Sequence, residues 1–199
     1  MTFLPRMKSL LLTAALLVTF SLHAPAQTEV EPGIQLSSMV SAVEPSPDGP
    51  QVVSIRPTAV ASNTHTGSNV ARSLVYSGQH STVEIPDLTS RTILKGKAPT
   101  FYIHIDTEDP NDLRSQVTLL HLKPLKETRL ALNMTANTFG GGRKRKMDEV
   151  PVVKVDVKDG WLKVTPTVAL EPGEYGIMFL PKDTNMFTDR VYDFTIVAQ

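Results

Sequence analysis

Four consecutive cations, Arg143, Lys144, Arg145 and Lys146, follow three glycines at residues 140–142. Glycines loosen a backbone, and a dense positive run attracts phosphate or sulfate groups on lipid, nucleic acid or polysaccharide, so these four residues are the candidate polyanion-binding site. No aromatic side chain interleaves with them, which removes the stacking platform that single-strand nucleic-acid binders use. The competing reading is a solvated hairpin tip whose charge run discourages association.

Oxygen donors gather at residues 106–112, where Asp106, Glu108, Asp109 and Asp112 stand with Asn111. Hard oxygen ligands at such spacing can hold Ca²⁺, yet the segment lacks the glycine and the distal bidentate glutamate of an EF-hand loop. Asp and Asn are also what turn geometry favours, so a solvated loop is preferred and no metal is expected. His65, His80, His104 and His121 lie beyond residue 26, none at ligand spacing from another and none in an H-E-x-x-H arrangement. Tyr102, His104 and Asp106 fall on one face of one predicted strand and can in principle serve acid–base work; a polar strand face in water gives the same pattern and is preferred. The chain has no G-x-S-x-G elbow, no phosphate-binding glycine loop and no dinucleotide fingerprint, so no catalytic residue and no cofactor are assigned. Asn133-Met134-Thr135 matches a glycosylation acceptor, a match read as incidental.

The elements that must position these residues are short and β-rich. Candidate strands run over 52–55, 73–76, 82–85, 92–95, 100–106, 117–122, 129–135, 152–157, 161–170, 174–180 and 190–197. Phe101, Ile103 and Ile105 share one face opposite Tyr102 and His104, and Leu130, Leu132 and Met134 oppose Arg129, Ala131 and Asn133. Asp159-Gly160 supplies residues that tolerate positive φ between two alternating runs, which predicts a hairpin. Pro172 and Gly173 occupy the second and third positions of a type II turn, and together these turns predict a three-stranded meander over 152–180. After residue 51 no stretch keeps a 3.6-residue period long enough for a helix. The expected fold is therefore all-β: a single-domain antiparallel β-sandwich, Ig-like or related, over residues 51–199. Its expected core holds Phe101, Ile103, Leu130, Leu132, Val155, Trp161, Tyr175, Ile177, Phe194 and Ile196.

Residues 1–26 read as a signal peptide, with Arg6 and Lys8 as the positive region, an apolar run over 10–22 and Ala24-Pro25-Ala26 as the cleavage signal. Met7, directly before Lys8, fits an initiation site better than Met1. The apolar run is shorter than the roughly 20 residues of a membrane-spanning helix, so no stable transmembrane anchor is expected. Without residues 1–26, the 20 basic against 20 acidic residues become 18 against 20, which argues against a wholesale nucleic-acid binder. There is no cysteine, so neither a disulfide nor a lipid-modified N-terminal cysteine is available. Residues 27–50 carry Pro32, Pro45, Pro47 and Pro50 without lasting periodicity and read as a flexible spacer.

Lys97-Ala98-Pro99-Thr100-Phe101-Tyr102, the run LLHLKPLKETR at 119–129, Leu170-Glu171-Pro172-Gly173-Glu174-Tyr175 and Val191-Tyr192-Asp193-Phe194 resemble, in that order, recurring segments of uncharacterised exported bacterial β-sandwich proteins. The likeness covers roughly residues 78 to 197 and implies a common core and bacterial export, not an activity. The expected function is an exported, periplasmic or secreted, non-enzymatic binding or scaffolding domain of unknown ligand, with an envelope protein or an anionic polymer as partner. Two alternatives stand beside it: polyanion binding through Arg143 to Lys146, and an enzyme whose site is assembled from distant strands.

Overall fold

Val40–Glu44 (β3) is buried at all five positions, and the reason lies in what covers it. Val40 and Ala42 point into the main core, whereas Val43 on the other face lies under a hairpin of Thr28–Glu31 (β1) and Ile34–Leu36 (β2). A strand covered on both faces shows no polar–apolar alternation, so the sequence reads as a spacer where the chain in fact enters the sheet. The spacer at 27–50 is corrected accordingly. The computed structural model describes residues 28–31, 33–63, 78–105, 110–137, 143–184 and 189–198. The leader, His65, the candidate strand at 73–76, residues 106–109 of the acidic segment and the glycines at 140–142 lie outside the described residues.

The remaining elements are Gln51–Ser54 (β4), Pro57–Ala59 (β5), Ala61–Asn63 (β6), Gly78–Pro86 (β7), Ile93–Leu94 (β8), Thr100–His104 (β9), a seven-residue helix Pro110–Gln116 (α1), Val117–Pro124 (β10), Thr128–Asn137 (β11), Lys144–Met147 (β12), Glu149–Val150 (β13), Val152–Asp156 (β14), Trp161–Pro166 (β15), Gly173–Phe179 (β16) and Arg190–Ile196 (β17). The chain is all-β, with α1 as the sole described helix, started by a proline whose fixed φ suits the first helical position. One sheet has the order β14-β15-β9-β3-β4. The other runs β5-β17-β16-β10-β11-β7-β6 and nearly closes on itself, because β5 and β6 belong to one stretch that pairs with β17 at one end and with β7 at the other. Described pairings are antiparallel except β8 on β17, where Ile93 and Leu94 lie parallel to Thr195 and Ile196.

The predicted hairpin at 159–160 forms, with both Asp159 and Gly160 at positive φ and β14 paired to β15. The predicted meander does not continue to β16, which pairs with β10 and β17; the turn at 170–173 carries the chain from one sheet to the other.

Alternation along β10, β16 and β17 feeds two interiors. Leu119, Ile177 and Phe194 meet Phe101 and Ile103 of the five-stranded sheet, the rings of Phe101 and Phe194 lying 5.0 Å apart. Leu120, Met178 and Val191, on the opposite faces of the same strands, fill the inside of the nearly closed sheet with Val83, Ile85 and Leu132. Eight of the ten expected core residues are buried. Val155 is 50 % exposed, because β14 is an edge strand and Val155 faces away from the core that Val152 packs against. Leu130 is only half-buried, because a register shift between Leu130 and Leu132 breaks the alternation. Tyr102, expected on a wet face, is buried beneath the β1–β2 hairpin.

Candidate functional site

That register shift in β11 has a consequence on its near side, where Arg129 pairs across from Ile85 on the inner face of the nearly closed sheet. Arg129 is 1 % exposed and uses its whole guanidinium: Nη1 donates to Glu174 Oε2 at 2.7 Å, Nη2 to Asp193 Oδ2 at 2.8 Å and to the Pro86 carbonyl at 3.2 Å, and Nε to the Asp87 carbonyl at 3.0 Å. Burying a charge is tolerable only when it is paired and hydrogen-bonded, and here β7, β11, β16 and β17 each supply part of that pairing. Asp87 presents its carbonyl from a φ of +66°, a left-handed conformation that aspartate tolerates better than most residues.

The two carboxylates are satisfied as fully as the cation. Asp193 Oδ1 accepts from Thr58 Oγ1 at 2.6 Å, Glu174 Oε1 from Thr195 Oγ1 at 2.7 Å, and Glu174 Oε2 also from the Ser90 amide at 2.9 Å. Ser90 Oγ donates to the Asp193 carbonyl at 2.8 Å and accepts from the Thr92 amide at 3.1 Å. The segment from Pro86 to Thr92 is thereby tied at several points to strands that are themselves buried. Two anions on one cation leave this buried cluster with a negative excess.

A cavity of about 530 Å³ opens over the cluster. Its lining includes the buried Arg129 and Asp193, Arg56 and Thr58 from one segment, and Asp87 and Arg91 from another. Arg56 and Arg91 are exposed and have neither a hydrogen-bond nor an ion partner among the described residues. Among the described residues the lining carries no histidine, lysine or glutamate, and the Ser90 hydroxyl is already engaged with backbone.

The sequence-predicted site residues lie elsewhere. Lys144, Arg145 and Lys146 are not on a hairpin tip but in β12. β10 and β11 stay paired only at Lys123–Leu130 and Pro124–Arg129, after which they part; β12 fills the gap against β11, and β13 fills it against β10. Lys144 and Lys146 point outward opposite Thr135 and Asn133, and Arg143 is exposed beside them. Arg145 points the other way and donates to the carbonyls of Pro181 and Asp183, with burial lowering its pKa. Three of the four cations therefore face solvent and one does not. His104 packs against Trp161 with ring centroids 4.9 Å apart, and the Tyr102 hydroxyl donates to Glu31 Oε2, so these two do not share an open acid–base face. Among the described residues no group of three His, Cys, Asp or Glu side chains is placed to hold a metal ion.

Arg129, Glu174 and Asp193 escaped the sequence reading, although a signal was present. Each is a charge flanked by apolar strand residues on at least one side, and Asp193 sits between Tyr192 and Phe194. Alternation assigned them to a wet face, whereas that face closes into a second interior. Compared with protein-family models, with curated proteins and with solved structures, the chain matches none.

Proposed function

We propose that this chain is a non-enzymatic binding or scaffolding domain, exported to the periplasm or beyond, and that its ligand occupies the cavity over Arg129. The observation that carries this reading is the cavity itself, whose walls are tied together by the Arg129 network and carry the exposed, unpartnered side chains of Arg56 and Arg91. Pre-ordered walls favour binding because little conformational entropy is lost when the ligand arrives. On the same reading the architecture is a β-sandwich, Ig-like or related, with the Phe101–Phe194 contact as part of its inter-sheet core, and the resemblance to exported bacterial β-sandwich proteins supports the compartment.

The test is an NMR titration of the purified protein with a panel of sugars, amino acids, organic acids and nucleosides. Amide shifts confined to 53–58 and 86–93 support the reading; a panel in which no member moves those amides overturns it, and chemical turnover of a bound member overturns its non-enzymatic part. N-terminal sequencing of protein recovered outside the cytoplasm should begin at Gln27, and a retained leader would remove the export proposal.

A second reading, association with a polyanion, is favoured by one observation: Arg143, Lys144 and Lys146 are exposed together, and none of the three has a partner among the described residues.

A further inference from the structure

Resting on the binding role proposed for the cavity, the geometry points to a ligand that carries a small oxyanion, held at the cavity mouth between Arg56 and Arg91. These two arginines line one cavity from two separate segments of the chain, both are exposed, and neither has a partner among the described residues. Arginine presents several donors in a planar fork that matches carboxylate, phosphate or sulfate oxygens, so two such forks facing one opening are suited to a single oxyanion.

Both arginines stand on ordered backbone. Arg56 follows Ile55, whose amide is bonded to the Val40 carbonyl at 3.0 Å, and precedes Pro57 at the start of β5. Arg91 lies between Ser90, anchored on Glu174 and Asp193, and Thr92, whose amide is bonded to Ser90 Oγ. The hydroxyls of Ser54, Thr89 and Thr92 line the same cavity and can donate to oxygens that the guanidiniums leave free.

The inner end of the cavity fixes the orientation. Glu174 and Asp193 outnumber Arg129 there, so an anion is repelled from the depth and attracted to the exposed arginines. The rest of the ligand, facing inward, is accordingly neutral and hydroxylated rather than anionic. An acidic sugar satisfies both ends.

The experiment is a titration of the purified protein at constant ionic strength with glucuronate, inorganic phosphate and neutral glucose, followed at the amides of residues 53–58 and 86–93. The proposal expects glucuronate or phosphate to shift these amides and glucose to bind at least about tenfold more weakly, the scale of one charge-assisted hydrogen-bonding group. Arg56→Gln and Arg91→Gln should each weaken the anion about tenfold, whereas Lys158→Gln, on an exposed turn, should leave it unchanged. Response to glucuronate alone identifies a carboxylate, and response to phosphate alone a phosphate group. Glucose binding as tightly as glucuronate, or anion binding indifferent to both arginine variants, overturns the oxyanion while leaving the cavity a binding site. Silence of these amides to both anions also overturns it, and the binding role then stands or falls on the wider panel.

Discussion

Arg129 Nη2 lies 2.8 Å from Asp193 Oδ2 at a place where neither side chain reaches solvent appreciably. With Glu174 on its other nitrogen, Arg129 is what allows two carboxylates to remain inside the nearly closed sheet. Arg129→Ala should therefore cost on the order of 3–5 kcal/mol, because it strands both anions without their counterion. Arg129→Lys restores the charge but cannot reach two carboxylates and two carbonyls at once, so its midpoint in urea should fall between those of the wild type and the alanine variant. A loss below about 1 kcal/mol for Arg129→Ala would show that the network is not a structural tie.

Gly176 lies in β16 opposite Asp193 of β17. A Cβ built there would come within 2.6 Å of Val191 Cγ2 and 3.5 Å of Leu122 Cδ1, inside a filled core. Gly176→Ala should destabilise by about 1–3 kcal/mol through overpacking. The double variant Gly176→Ala with Val191→Ala should recover part of that loss, and the absence of any recovery would locate the strain elsewhere.

Glu31 ties the β1–β2 hairpin to the five-stranded sheet: Lys163 Nζ lies 2.9 Å from Oε1, and the Tyr102 hydroxyl donates to Oε2 at 2.7 Å. These bonds, Lys163 first and Tyr102 second, hold the Glu31 carboxyl below its ordinary range, while burial pushes the Tyr102 phenol up. A lowered folded pKa means that the contribution is fully present above the unfolded value, roughly 4.3, and is lost as pH falls through the folded value. Denaturation midpoints of wild type and Glu31→Gln should thus differ near neutrality and converge in acid. Parallel pH profiles would remove Glu31 as the titrating group.

The contrast between Phe194 and Val155 tests the assignment of faces. Phe194 is fully buried and touches Phe101 and Tyr175, so Phe194→Ala should cost about 3–5 kcal/mol. Val155→Ser, on an exposed edge face, should change stability by no more than about 0.5 kcal/mol. A large loss at Val155 would mean that something covers β14 in solution.

Alternation made the strands legible, and it located Tyr175, Ile177, Phe194 and Ile196 correctly because each run is apolar on the face between the sheets. It misjudged Val155 because an edge strand can be apolar on both faces, and it missed β3 because a strand covered on both faces has no period to read. The register shift at Leu130 is invisible in residue types alone, and it sends Arg129 inward. The cavity was not legible at all. Its parts come from 53–58, 86–93, Arg129 and Asp193, which are brought together only by pairing of β5 with β17 and of β7 with β11.

The basic run yields the sharpest functional separation, because β12 divides its members by face. Arg143, Lys144 and Lys146 are exposed, whereas Arg145 is spent on the carbonyls of Pro181 and Asp183. If the run takes a polyanion, replacing the three exposed cations with serine should abolish retention on heparin at low salt while moving the melting temperature by about a degree or less, since exposed charges contribute little to stability. Arg145→Ser should act in the opposite sense. It leaves the outward cations in place, so retention should largely persist, but it removes the donors to the two carbonyls and lowers stability by about 1–3 kcal/mol. Equal elution of wild type and the triple variant would reduce the three exposed cations to a solvated face, and a triple variant that melts far lower would show that their role is structural.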